Sequence, residues 1–198
     1  MQNYYEPTTK NRYTTSQLER RGLLHPSVEL KAIGIYPLVI EKPQYDLRYQ
    51  QITNERVEGD SDSEFKIVWD VEYLPLEQVK QAKESEITKA HDVFLKSQFS
   101  EYSEMERGTW GEQRKEANDL LRNAQASAPL VRSIAIARGL DVLDLARRIQ
   151  KKAASWSKLV GHITGQRQAL QDKVTEANLP ETVIGIHVGY LMPDGKIG

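Results

Sequence analysis

Between Val142 and Val174 the chain carries one continuous helical signal, and it limits the fold more than any other stretch. Val142, Leu145, Ile149, Ala153, Trp156, Val160, Ile163, Arg167, Leu170 and Val174 recur at steps of three or four, which puts them on one side of an α-helix. Unbroken, such a helix is roughly 50 Å long at ~1.5 Å per residue. A narrow apolar stripe of that length has to bury against another helix, in the same chain or in a second copy. Only Ala153 and Arg167 weaken it. The expected interface residues are therefore Leu145, Ile149, Trp156, Val160, Ile163, Leu170 and Val174. Pro180 stops the pattern.

Around this helix the chain reads as four segments of an α+β protein. Residues 1–30 are polar and irregular, an extended N-terminal arm with one short helical candidate, SQLERRGLL, capped by Thr15 or Ser16 and closed at Gly22. Residues 31–75 form a small antiparallel β domain. It holds KAIGIYPLVI (31–40), QYDLRYQQITNERV (44–57), the turn-rich EGDSDSE (58–64) and FKIVWDVEYL (65–74). Pro37 points to an edge strand or bulge. Phe65, Ile67, Trp69, Val71 and Tyr73 share one face at period two. Residues 76–178 form a helical domain. A long solvated helix runs from Leu76 to about Tyr102, and a break at Gly108 precedes a second helix from about Gly111 to Gln125. SAPL (127–130) is a start signal with Ser127 as cap, and the short helix it opens ends at Gly139. Residues 179–198 form an extended tail. There Ile184, Ile186, Val188 and Tyr190 alternate against Val183, Gly185, His187 and Gly189, as in a strand with one apolar face, before a turn at MPDGK.

The chemistry of the side chains points away from catalysis. The 27 basic and 28 acidic residues leave a net charge of −1, too little to attract phosphate backbones or anionic membranes over a distance. No cysteine is present, so thiolate and disulfide chemistry are excluded. His25, His91, His162 and His187 stand apart without metal-ligand spacing. Glu84/Glu86 and Glu101/Glu104/Glu106 lie in charge-rich helical sequence, where carboxylates face solvent. Phosphate-cradling glycine loops, G-x-S-x-G and H-E-x-x-H are absent. Gly161-His-Ile-Thr-Gly165 has membrane-packing spacing on a polar helix, where it suits a close helix crossing. No apolar run approaches the ~20 residues of a membrane span. The opening MQNYYEPTTKNRY has no apolar signal core, so synthesis and assembly in a cytoplasm are expected. Trp69, Trp110 and Trp156 read as core anchors, with an interface role as the alternative.

IAIARGLDVLDLARRI (134–149) looks at first like a DNA-reading helix-turn-helix, with Ala135, Gly139 and Leu140 at the expected places. Arg138 and Arg148 then fall where that unit needs apolar side chains. Its second helix also continues far beyond three turns, and the basic face of a DNA reader is missing. A packed helical corner accounts for the stretch better.

Three segments in series carry a family resemblance: TWGEQRKEANDLL (109–121), SAPLVRSIAIARGLDVLDLARRI (127–149) and KKAASWSKLVGHITGQRQALQDKV (151–174). They resemble the uncharacterised helical module of phage tail-fibre and tail-fibre-assembly-type proteins. The shared features are a Trp-x-x-Gln-x-x-Glu-Ala opening, a Pro-Leu helix ending in Ala-Arg-Gly, and Gly-Gln-Arg-Gln in the last helix. Upstream, GIYPLVIEKPQYDLRYQ followed by FKIVWDVEYLPLEQV is similar to the small β unit of those proteins. The resemblance spans about residues 31–177. It implies a structural subunit of a virion tail, in the baseplate or at a fibre attachment, made in the host cytoplasm. Its partners would be other tail, baseplate or fibre proteins and further copies of itself, in an assembly serving host attachment. No catalytic, metal or cofactor residues are implied, nor nucleic acid or membrane insertion. A fibre-assembly chaperone is the first alternative, and a helix-turn-helix DNA-binding protein the second. In the favoured reading the tail, through Ile184, Ile186, Val188 and Tyr190, adds as a strand to a neighbour.

Overall fold

The computed structural model describes residues 2–62 and 64–193. The chain is α+β, with a five-stranded sheet in its first part and helices in the rest. Its contacts divide it into two units, one reaching to Val79 and one starting at Lys80. Among the described residues, no helix is long and apolar enough to cross a membrane.

In the first unit, strands β1 (Asn3–Glu6), β2 (Asn11–Thr14), β3 (Tyr36–Ile40), β4 (Gln50–Glu58) and β5 (Phe65–Tyr73) lie in the order β2-β1-β3-β5-β4. The expected extended arm is thus partly sheet. Tyr4 and Tyr13 stand directly opposite each other in the β1–β2 hairpin. Both are buried with Leu18 and Ile35. Two large apolar rings on one face are enough to anchor strands whose other residues are polar. Helix α1 (Thr15–Arg20) follows at once, capped by Thr14 in a capping box with Gln17 instead of by Thr15 or Ser16.

The β domain expected to be antiparallel contains one parallel pair, β3 with β5. Pro37 therefore sits in a central strand and not at an edge. Pairing with β5 begins at Leu38↔Phe65, one residue beyond the proline, so the missing N–H is tolerated. The sheet curls until its edges meet: Arg12 of β2 pairs with Glu55 of β4, and the Trp69 indole N–H donates to the same carboxylate at 2.9 Å. Leu38, Phe65 and Ile67 are buried on one face, with the Tyr5 and Tyr36 rings 5.3 and 5.2 Å from Phe65. At the β4–β5 turn Gly59 has φ +128°, and a Cβ there would lie 2.6 Å from the Glu64 carbonyl. That position needs glycine.

The second unit is built from α2 (Leu76–Ser97), counted from Lys80, with α3 (Glu104–Gly108), α4 (Trp110–Arg122), α5 (Pro129–Arg138), α6 (Val142–Glu176) and α7 (Pro180–Ile184). As the periodicity anticipates, α6 is continuous: 35 residues, ~52 Å. Ala117, Leu120, Ala128, Val131, Ala135, Leu145 and Ala146 form the core joining α4, α5 and the start of α6. Its alanines let the helix backbones approach closely. The expected tail strand is absent. Pro180 opens a helical turn, with Glu181 favourably placed near its N-terminus. Residues 186–190 then run without regular structure. Two glycines close together, Gly185 and Gly189, weaken strand propensity there. The MPDGK turn falls mostly outside the described residues.

Candidate interface of the helical unit

The deepest residues of the long stripe are covered by the chain itself. Leu145 lies in the α4–α5–α6 core with Ile149 packed against it. Ile163 and Val174 are fully buried, while Val160 and Leu170 are half-buried. Trp156 is half-buried, its ring centroid 3.8 Å from that of Phe99. Phe99 also touches Trp110, and Trp110 meets Tyr102 edge-on. The Lys152 ammonium lies 4.1 Å from the Tyr102 ring centroid and donates to its hydroxyl. Of the two partners the stripe allows, a helix of the same chain or a second copy, the chain itself covers Leu145, Ile163 and Val174, while Ile149, Trp156, Val160 and Leu170 keep part of their surface open.

The tail residues also fold onto the helices of this unit. From Val183 to Leu191 the chain forms a strap bound to α2 and α6. Val183 is fully buried, Ile184, Ile186 and Val188 are half-buried, and Tyr190 is buried. The Lys83 ammonium, itself buried, donates to the Ile184 and Ile186 carbonyls at 3.3 and 3.2 Å and faces Glu86 at 3.4 Å. Gln166 on α6 reads both backbone groups of Leu191: its amide donates to the carbonyl at 2.8 Å, and its oxygen accepts the N–H at 3.0 Å. The Tyr190 hydroxyl donates to the Ile87 carbonyl at 2.9 Å. Its ring packs against His91 and Phe94. Burial is the main cause that pushes the Tyr190 phenol above its ordinary pKa; Asp92 adds to the rise and Arg167 opposes it. The His91 Nδ1 faces the Asp92 carboxylate at 3.2 Å, while its Nε2 is buried without a hydrogen-bond partner among the described residues. Side chains thus do for the strap's backbone what a neighbouring strand would have done.

The corner at 134–149 is a packing device in this unit. Gly139 adopts φ 62°, ψ 36°, and Leu140 N–H reaches back to the Ala135 carbonyl at 2.9 Å, closing α5 as left-handed caps do. Asp141 then caps α6, its Oδ1 accepting from Leu143 and Asp144 N–H at 2.9 Å each. Arg138 and Arg148 are exposed. At the other end of α5 the expected Ser127 cap is not used. Ala128 takes that place, and the buried Glu116 carboxylate of α4 accepts the N–H groups of Leu130 at 3.3 Å and Val131 at 2.8 Å.

The buried polar roles of Glu116, Lys83 and His91 are not anticipated from residue type, yet spacing carries a signal for each. Val79, Lys83, Ile87 and His91 follow one another at four-residue steps, and Glu116 stands four before Leu120. Polar residues in register with buried apolar ones sit on the covered face.

Elsewhere in the molecule, a shallow concavity of about 370 Å³ in the first unit is lined by Arg12, Tyr13, Gln17, Arg20 and Arg21, among others. Arg12 is committed to Glu55 and Arg21 stacks on Tyr13. Among the described residues no three of His, Asp and Glu gather where they could hold a metal ion.

Residues 151–187 match the family model of the HI1402 helical domain. The matched stretch runs along most of α6, through α7 and into the strap. No curated protein and no solved structure matches the chain.

Proposed function

We propose that the chain is a structural subunit of a phage virion tail, at the baseplate or a fibre attachment, and that it acts by protein–protein assembly without covalent chemistry. The observation that carries this reading is the ordered series of segments 109–121, 127–149 and 151–174. They resemble the helical module of tail-fibre-type proteins, and they fold next to one another as α4, the α5–α6 corner and the length of α6. A shared core of small and aliphatic residues joins the first two. Large apolar side chains remain on the outside: Met105 is 85% exposed, Ile136 82% and Val93 68%. Such side chains are available to other tail, baseplate or fibre proteins.

Mass spectrometry of purified particles tests the proposal. Stoichiometric presence of this chain in the finished tail is the expected result. Its absence from particles, together with recovery bound to fibre protein in infected-cell lysate, would assign it to fibre assembly as a chaperone and overturn the subunit reading.

A further inference from the structure

A basic concavity in the first unit takes no part in packing the helices. In a chain whose 27 basic and 28 acidic residues nearly cancel, it is lined by Asn11, Arg12, Tyr13, Gln17, Arg20 and Arg21, three cations with no carboxylate among them. Arg12 is held by Glu55 across the curled sheet. The other two are uncommitted. Arg20 makes no hydrogen bond or ion pair among the described residues. The Arg21 guanidinium lies 4.8 Å from the Tyr13 ring centroid and likewise donates to nothing among the described residues. Such a stack engages the flat face of the guanidinium and leaves the N–H groups in its plane. Glu6, whose charge Arg21 favours from a distance, already accepts the Thr9 and Tyr13 hydroxyls at 2.7 and 2.8 Å.

We propose that this concavity binds the phosphate group of a small phosphate monoester. Guanidinium forks meet phosphate oxygens in pairs, and two uncompensated cations match a dianion. A singly charged carboxylate would leave one of them unmatched. Gln17 adds a neutral donor. Its Oε1 accepts the Thr14 N–H at 2.7 Å, which fixes the amide, and its NH2 has no acceptor among the described residues. The frame beneath is firm: Tyr13 and Leu18 are buried, and the capping box ties the end of β2 to the start of α1. Donors held on such a frame lose little freedom when a ligand arrives. The volume of about 370 Å³ admits the phosphate together with part of the group that carries it. With a net charge of −1 the attraction acts at contact and not over a distance. The inference goes beyond assignment to a tail and does not depend on it.

The test uses the full chain, ¹⁵N-labelled at arginine. Titration with glucose 6-phosphate is expected to shift the Nε–H signals of Arg20 and Arg21 along one saturating curve. A dissociation constant of about 1 mM suits an open, solvated site. Arg20→Gln and Arg21→Gln should each weaken binding about tenfold or more, the loss of a charged hydrogen bond. Both side chains are exposed, so neither change disturbs the core. Arg138→Gln, exposed in the helical unit, should leave binding unchanged. Inorganic phosphate then divides the ligand into its parts. An affinity close to that of the ester puts recognition on the phosphate group alone, and a weaker one shows that the sugar also occupies the concavity; either supports the site. Absent shifts, shifts that rise without saturating, or equal weakening by Arg138→Gln and Arg20→Gln would overturn it. Galacturonate binding as tightly as glucose 6-phosphate would overturn the choice of phosphate.

Discussion

Glu116 shows how one side chain can serve an element it does not belong to. The first N–H groups of α5 point into the core, where an unmet donor is costly, and this carboxylate on α4 meets two of them. Glu116→Ala is expected to lower stability by about 1–3 kcal/mol, and Glu116→Gln, which keeps an acceptor, by clearly less. Urea unfolding of both variants checks the order. Tyr190 makes a second prediction at this scale. Its phenol is held neutral by burial, so its folded pKa lies above the unfolded value of about 10. The folded state therefore binds the proton more tightly. This contribution is complete below about pH 10 and is lost as pH rises through the raised folded value. Tyr190→Phe is expected to start from lower stability, having lost the bond to Ile87, but to show a shallower decline above pH 10. Equal slopes for the two proteins would exclude Tyr190 as the group responsible.

At the level of elements, α6 is the most legible part of the chain and its use the least. Period and length are plain from Val142 to Val174, because ten positions in succession keep the helical step and none fits the two-residue period of a strand. What the stripe would touch is another matter. Ile163 illustrates the difference: fully buried within its own chain, it belongs to the fold before it belongs to any interface. Ile163→Asp should destabilise the helical unit by more than about 4 kcal/mol through an unpaired buried charge, whereas Ile163→Val should cost about 1 kcal/mol. Loss of helical circular dichroism at lower urea for the first, with little change for the second, is the expected pattern. Normal folding of Ile163→Asp with loss of association alone would restore the stripe to an interface role. The strands β1 and β2 are illegible for the opposite reason. NYYE and NRYT have four residues each, too few for an alternating pattern to stand out from polar sequence.

For the molecule as a whole, the tail matters most. As a separate extended segment it could be removed without harm to the helices. As a strap whose Val183 and Tyr190 are buried and whose backbone is held by Lys83 and Gln166, it is part of the helical unit. Truncation after Asn178 is expected to lower the stability of that unit by about 3 kcal/mol or more, from the apolar area uncovered. Thermal unfolding followed at 222 nm measures this. An unchanged midpoint would show that the strap adds no stability.

Local chemistry settled much of this protein. Helical period, the capping Asp141, the closing Gly139 and the turn glycine at Gly59 act within a few residues of chain, so their consequences can be read along it. The α+β division follows from the same local signals. Partnership across long separations was decided only when the chain folded. A carboxylate on α4 became the cap of α5, a lysine on α2 became the donor to a strap 101 residues away, and Pro37 found room in a central strand. Such pairings depend on which surfaces meet. A buried polar group is stable with any partner of suitable geometry, so residue type alone does not name the one it finds.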